Sequence, residues 1–175
     1  MNSFNSNNYD VKSLILIGPK NSGKTRETIN YALKNIKEER CIYYTSSNKN
    51  NLIERISSIG TSENWQQLNN LFIYEAPKIN YNSSSIEDKN LMHILLGIFK
   101  PIENIKPNKI VLDEITPFLN FSDLDLLEKV SKKISLFLNY YKIKALFTLS
   151  EPVSQRAKLI SEIVKKEFSE SYYLT

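Results

Sequence analysis

A glycine-containing loop between an apolar run and an amphipathic segment constrains this chain more than any other feature. Residues 14–17 read Leu-Ile-Leu-Ile, and residues 18–25 read Gly-Pro-Lys-Asn-Ser-Gly-Lys-Thr. The apolar run predicts a buried strand, and the apolar spacing that begins at Thr25 predicts a helix. Gly18 and Gly23 are two of only four glycines in the chain, and they permit backbone angles that direct successive N–H groups toward phosphate oxygens. The pattern G-x-x-x-x-G-K-T in this setting predicts a P-loop.

Each position of the P-loop has an expected role. The Lys24 ammonium is expected to reach the β- and γ-phosphates and to act in catalysis, and the Thr25 hydroxyl is expected to contact Mg²⁺. The N-terminus of the following helix adds a favourable field for anions. We expect the whole loop to bind the nucleotide: Gly18, Pro19, Lys20, Asn21, Ser22, Gly23, Lys24 and Thr25.

A second motif supplies the acids that the same site requires. Residues 109–114 read Lys-Ile-Val-Leu-Asp-Glu, an apolar strand that ends in two acids and matches the Walker B pattern. Because Mg²⁺ takes oxygen ligands and few of them from protein, we expect Asp113 to bind the metal directly or through water. Glu114 is expected to orient or deprotonate an attacking water. At the end of the next strand, Thr148 or Ser150 either contacts the γ-phosphate or caps the strand.

The rest of the chain alternates strands with helices. Strands are predicted at residues 14–17, 41–45, 71–74, 109–114 and 145–149, with an edge strand at 172–174. Helices are predicted at residues 25–38, 52–59, 85–98, 122–137 and 154–168. Ser85 and Ser122 begin capping-box patterns, and Gly60 marks a helix end. The prediction is an α/β fold, a P-loop NTPase with a mostly parallel central sheet covered by helices on both faces.

Composition indicates the class of protein. At 175 residues the chain has the size of one domain, and we expect a single P-loop NTPase domain at residues 11–175. Residues 1–10 are polar, and we expect them to form a flexible N-terminus. No apolar run approaches the ~18 residues that span a bilayer, and no signal peptide is evident, so we expect a cytoplasmic protein without membrane insertion. The net charge of +4 permits DNA binding without requiring it. Cys41 is expected to be buried, Trp65 to pack between elements, and His93 to be structural.

The order of the elements resembles the RecA/KaiC family of ATPases. Residues 41–60 resemble that family's second strand, Ser-rich turn and helix, and NLFIYEAP resembles its third strand. NKIVLDEITPFL and KALFTLSEP resemble its Walker B strand and the polar-ended strand beyond it. The resemblance covers about residues 12–152. It implies an ATP- and Mg²⁺-using core, often oligomeric and common in archaea, that serves as a nucleotide-driven switch or motor component with a protein partner or DNA.

Three departures from that family are visible. Residues 46–48 read Ser-Ser-Asn where the family usually places a water-activating glutamate, and the acidic pair at 113–114 replaces its usual Asp-Ser. Few residues follow Leu149, so we expect the family's subunit-bridging elements to be short or missing. Arg156 is either an arginine that completes a neighbour's site or a solvated helix residue.

The sequence also fits three other functions. GPKNSGKTRET with the later LDE resembles thymidine kinases, although the cysteines of that family's zinc segment are absent. A second alternative is a nucleotide-gated binding module that does not hydrolyse ATP. GTP is also an alternative nucleotide, although no Asn/Thr-Lys-x-Asp motif is visible.

Overall fold

The computed structural model describes residues 13–59, 69–79 and 86–175. The strands in these ranges are Ser13–Gly18 (β1), Cys41–Thr45 (β2), Leu71–Glu75 (β3), Lys109–Asp113 (β4), Lys144–Ser150 (β5) and Glu170–Tyr173 (β6). The helices are Lys24–Leu33 (α1), Lys49–Ser58 (α2), Asp88–Gly97 (α3), Ile102–Ile105 (α4), Leu124–Tyr140 (α5) and Gln155–Lys166 (α6). A 3₁₀ helix, Thr116–Leu119, follows β4.

The six strands form one parallel sheet in the order β3-β2-β4-β5-β1-β6. The register pairs Gly18 with Ser150 and Thr45 with Asp113. The carboxyl ends of β1, β4 and β5 therefore meet at one edge of the sheet, where the order of strands reverses and ligands of such folds bind. The α/β prediction, with its edge strand near the C-terminus, is confirmed.

Alternate apolar residues of the central strands belong to two different cores. Leu14 and Leu16 of β1 pack with residues of α1 and α2, whereas Ile15 and Ile17 pack with residues of α3, α5 and α6. All four β1 side chains are completely buried, as expected for a strand in a parallel sheet with helices on both faces. Consequently the helix that follows the P-loop lies on one face, and the helices that follow β4 and β5 lie on the other.

Helix α1 ends at Leu33, before the predicted end at residue 38. Lys109 of β4 lies beneath this end, where its Nζ donates to the carbonyl oxygens of Tyr31 and Ala32 at 3.3 Å each. The same ammonium forms an ion pair with Glu39 at 3.2 Å. A cation at a helix C-terminus satisfies unpaired carbonyls and opposes the helix dipole. This contact is long-range in sequence, so periodicity did not reveal it.

The predicted capping box at Ser122 is wrong by one residue. Asp123 is the N-cap of α5, and its Oδ1 accepts hydrogen bonds from the N–H groups of Asp125 at 2.9 Å and Leu126 at 3.1 Å. The Ser122 N–H instead donates to Oδ1 of Asp88 at 2.6 Å, which ties this turn to the start of α3. A carboxylate therefore outcompetes the neighbouring hydroxyl for the free N–H groups.

The predicted starts of α6 and α3 can also be compared with the structure. Ser154 is the N-cap of α6, as predicted, and its Oγ accepts from the Ala157 N–H at 3.1 Å. Helix α3 begins at Asp88, three residues after the predicted start at Ser85, which lies outside the described residues. The predictions for Gly60, Trp65 and residues 1–10 also lie outside them. In the described ranges, no helix combines the length and apolar character needed to cross a membrane.

Cys41 is fully buried at the start of β2, as predicted. Burial raises the pKa of its thiol to about 12, although the Lys109 ammonium acts in the opposite direction. Because the folded-state pKa exceeds the unfolded value, the thiol favours the folded state below the unfolded pKa and loses this contribution as pH rises through the folded pKa.

We expect Ellman's reagent at mildly alkaline pH to leave Cys41 unmodified in the native protein and to react with it in urea. Cys41→Ser, which offers no thiol, gives the background. Rapid reaction of the native protein would contradict the burial of this side chain.

Candidate nucleotide site

The P-loop connects β1 to α1 at the carboxyl edge of the sheet. Gly23, the residue that precedes α1, has φ 89°, and Asn21 has φ 68°. A Cβ on Gly23 would meet no atom within 4 Å, so the backbone angle, and not space, requires glycine there. The loop therefore has the left-handed turns that direct backbone N–H groups into one concave surface.

Gly18 is required because neighbouring backbone approaches it closely. A Cβ on Gly18 would lie 2.6 Å from the carbonyl oxygen of Leu174 and 2.7 Å from Oγ of Ser22. Leu174 follows β6, and its N–H donates to the carbonyl oxygen of Ile17 at 2.8 Å. The C-terminal edge strand thus packs directly against the start of the P-loop.

Two polar groups of the loop fit an anionic ligand. Lys24 is 8% exposed, and its Nζ donates to the carbonyl oxygens of Gly18 at 2.6 Å and Pro19 at 2.7 Å. Among the described residues Lys24 has no carboxylate partner, and the buried Oγ of Ser22 has no hydrogen-bond partner. Phosphate oxygens would provide Lys24 with charge-assisted hydrogen bonds and Ser22 with an acceptor.

Asp113 ends β4 and is surrounded by hydroxyl groups. Its Oδ1 accepts from Thr148 Oγ1 at 3.0 Å, its Oδ2 accepts from the Tyr43 hydroxyl at 3.2 Å, and the Thr25 hydroxyl also hydrogen-bonds it. Burial raises the pKa of this carboxyl, and the three hydrogen bonds act in the opposite direction. The structure therefore brings together Thr25 and Asp113, the two predicted metal ligands.

These oxygen atoms fit Mg²⁺ better than a transition metal. Thr25 and Asp113 offer a hydroxyl and a carboxylate, the hard donors that Mg²⁺ prefers. In the described part of the chain, no group of three or more His, Cys, Asp or Glu side chains is arranged to hold a metal. A cation that takes few protein ligands and completes its shell with phosphate oxygens and water is consistent with this arrangement.

Glu114 lies beside the predicted metal site and lines a cleft. A cis peptide bond joins it to Asp113, and its Oε1 accepts a hydrogen bond from the Ser150 hydroxyl. The cleft has a volume of about 640 Å³ and lies between the 3₁₀ helix and α6, with Glu114 and Ser150 among its lining residues. Its walls are mainly apolar, and no residue of the P-loop lines it.

The two hydroxyl candidates at the end of β5 have different partners. Thr148 is completely buried and contacts Asp113, whereas Ser150 is exposed and contacts Glu114. Arg156 also lines the cleft, where its Nη2 donates to the backbone carbonyls of Phe121 and Ser122 in the same chain. This guanidinium therefore stabilises the turn that precedes α5. His93 is exposed on α3.

Sequence analysis missed two residues of this region, Thr28 and Tyr43. Thr28 lies one turn after Thr25 on α1, and Tyr43 lies at the centre of β2. Their hydroxyl oxygens are 2.6 Å apart, and both residues are completely buried. The only local signal was a tyrosine and a threonine on otherwise apolar element faces, a pattern that more often indicates packing than chemistry.

Comparisons with known proteins agree with this fold. A family model described as "ATPase: KaiC" matches residues 6–168. A search of curated protein sequences finds no significant match. Among solved structures, the KaiC-like protein PH0186 from the hyperthermophilic archaeon Pyrococcus horikoshii OT3 has a TM-score of 0.59 and 18% identity, covering 87% of this chain and 67% of that chain. Because the family match spans nearly the whole sequence and the folds agree, this chain belongs to the KaiC family of RecA-type P-loop ATPases.

Proposed function

We propose that this protein binds ATP with Mg²⁺ in the P-loop and hydrolyses it to act as a nucleotide-driven switch or motor component. The observation that carries the proposal is the meeting of Lys24, Thr25, Asp113 and Glu114 at one edge of the sheet. Membership of an ATPase family supports nucleotide binding as the basic activity. The absence of a guanine-reading motif favours ATP over GTP.

In this proposal each residue of the site has a separate role. Lys24 exchanges its two backbone carbonyl partners for the β- and γ-phosphates, and backbone N–H groups of residues 18–25 bind the remaining phosphate oxygens. Thr25 and Asp113 hold Mg²⁺, which supplies electrostatic stabilisation of the transferring phosphoryl group. Glu114 accepts the proton of the attacking water, and the hydrogen bond from Ser150 orients its carboxylate.

The proposal extends to the organisation and partners of the protein. We infer a single domain over residues 11–175 that acts in the cytoplasm with another copy of itself or a protein partner. DNA is a weaker candidate, because a net charge of +4 permits DNA binding without requiring it.

The cleft beside Glu114 favours one second candidate, a kinase that transfers the γ-phosphoryl group to a bound hydroxyl compound. A volume of about 640 Å³ suits a nucleoside-sized molecule. In that reaction the acceptor oxygen forms a bond to the γ-phosphorus, the bond to the β–γ bridging oxygen breaks, and ADP leaves. Glu114 would take the hydroxyl proton of the acceptor in place of a water proton.

An assay that quantifies both ADP and inorganic phosphate distinguishes these functions. Purified protein is incubated with Mg-ATP by itself, with single-stranded DNA, or with added nucleosides. Hydrolysis produces ADP and phosphate in equal amounts. An excess of ADP over phosphate that depends on a nucleoside identifies a kinase. Tight ATP binding without turnover under any of these conditions would reject both enzymes in favour of a nucleotide-gated binding module.

A further inference from the structure

We propose that Tyr43 and Thr28 are positioning residues that hold the Asp113 carboxylate for its metal and connect it to the helix of the P-loop. This inference rests on the proposed function, because it assigns the two hydroxyl groups a role in Mg²⁺ binding. Neither residue belongs to the P-loop or the Walker B motif.

The three side chains form a continuous buried chain of hydrogen bonds. The Tyr43 hydroxyl lies 3.2 Å from Oδ2 of Asp113 and 2.6 Å from Oγ1 of Thr28. Oγ1 of Thr28 also lies 2.8 Å from the carbonyl oxygen of Thr25. The hydrogen-bonded path therefore runs from Asp113, one predicted metal ligand, through the Tyr43 hydroxyl to Thr28 on α1, the helix that also carries the other predicted ligand, Thr25.

The number of hydroxyl hydrogens limits which of these hydrogen bonds can form at the same time. Tyr43 and Thr28 each carry one hydroxyl hydrogen, but their oxygens make three close contacts. When Asp113 is ionised, as a metal ligand must be, its Oδ2 accepts the Tyr43 hydrogen. Thr28 then donates to Tyr43 and gives up its bond to the Thr25 carbonyl. An ionised Asp113 thus selects one orientation of both hydroxyl groups.

Tyr43 is suited to remain the donor in this arrangement. Its hydroxyl oxygen lies between Oδ2 of Asp113 and Oγ1 of Thr28, so it can donate to the carboxylate while it accepts from Thr28. Because the ring is completely buried among residues of α1 and α2, the hydroxyl has little freedom to leave the carboxylate. One oxygen of Asp113 is therefore held by β2 and the other by Thr148 of β5, which fixes the plane of the carboxylate.

A purely structural role would satisfy buried polar groups without affecting the metal, and metal affinity separates the two roles. Groups that hydrogen-bond a metal ligand typically contribute about 10- to 100-fold to metal affinity. We expect Tyr43→Phe to weaken Mn²⁺ binding about tenfold, measured by electron paramagnetic resonance with a saturating non-hydrolysable ATP analogue. Affinity for the analogue without metal should stay within about twofold.

Neighbouring and conservative substitutions provide the controls. Tyr44→Phe removes the next hydroxyl of the same strand, which donates to the Ile98 carbonyl at 2.7 Å in the opposite core, and it should leave Mn²⁺ affinity unchanged. Thr28→Val should weaken Mn²⁺ binding in the same direction as Tyr43→Phe, whereas Thr28→Ser should restore it. The Thr28 pair decides the question if Tyr43→Phe fails to fold, as circular dichroism would show.

The outcomes distinguish this inference from the function on which it rests. A wild-type protein that binds neither the analogue nor Mn²⁺ would reject the proposed function. A wild-type protein that binds both, with folded Tyr43→Phe and Thr28→Val variants of unchanged Mn²⁺ affinity, would overturn the positioning role and leave the nucleotide site intact.

Discussion

Replacing Lys24 by alanine is expected to raise the dissociation constant for ATP by at least about 100-fold. The P-loop contains two lysines, and of these Lys24 is buried whereas Lys20 is exposed. Hydrogen bonds to charged groups contribute about 1.5–3 kcal/mol each, and the loss of two such bonds to phosphate corresponds to at least that change in affinity.

The free protein should tolerate this substitution. The Lys24 ammonium has only backbone carbonyl partners among the described residues, so its removal leaves no opposite charge unpaired. Lys24→Met keeps most of the aliphatic volume and separates loss of charge from loss of packing. We expect both variants to unfold at nearly the wild-type temperature without nucleotide and to lose the stabilisation that ATP gives the wild type.

Lys20→Ala is the matched control for this experiment. It removes a lysine from the same loop, but one whose side chain is exposed and whose backbone N–H is retained. Its ATP affinity, measured by isothermal titration calorimetry, should stay within about threefold of the wild-type value because an exposed charge contributes little. Equal losses in the two variants would mean that general positive charge, and not the placement of Lys24, holds the nucleotide.

The sequence predicted the local parts of this site and missed the parts that depend on distant residues. Gly18, Gly23 and Lys24 belong to one short motif whose backbone angles and spacing can be read directly. Tyr43 and Thr28 could not be assigned in this way, because their role depends on β2 lying next to β4 in the sheet. Strand order is a tertiary property, and a buried tyrosine in a strand ordinarily predicts packing alone.

Contacts between distant residues also explain why two helix boundaries were predicted incorrectly. The alternation of strands and helices identified the six strands of the described residues, most clearly β1, β2, β4 and β5, which are buried apolar runs of a parallel sheet. The end of α1 was placed too late, since Lys109 binds its terminal carbonyls from another element. The start of α5 was misassigned because Asp123 and Ser122 are both good N-cap residues, and only the Asp88 contact decides between them.

The turn after β2 bears on the identity of the catalytic base. The family resemblance implied a glutamate there, but this chain has Ser46, Ser47 and Asn48. The Ser46 N–H donates to the backbone carbonyl of Asp113 at 2.6 Å, and the Asn48 side chain accepts from the Asn50 N–H at 2.8 Å to cap α2. These residues stabilise the turn and offer no carboxylate. The proposal of Glu114 as base depends on this difference.

Glu114→Gln is accordingly expected to lower the ATPase turnover number by at least about 100-fold while ATP affinity stays near the wild-type value. Glutamine has nearly the same shape, and its amide oxygen can still accept the hydrogen bond from Ser150. It cannot accept a proton from water, and positioned proton transfer contributes about 10²- to 10⁴-fold to rate. Phosphate formation in a single turnover, measured by acid quench with enzyme in excess over Mg-ATP, follows this chemical step without interference from product release.

Glu151→Gln is the control for Glu114→Gln, because Glu151 also lines the cleft and its substitution removes the same charge. Its turnover should remain within about twofold of the wild type, since no catalytic role is assigned to that carboxylate and exposed charges have small effects. The turnover number of Ser150→Ala should lie between those of Glu114→Gln and Glu151→Gln, because the substitution leaves the Glu114 carboxylate in place but removes the hydroxyl that orients it. Full turnover in Glu114→Gln would instead assign proton transfer to another group, and an equal loss in Glu151→Gln would attribute the effect to the charge of the cleft.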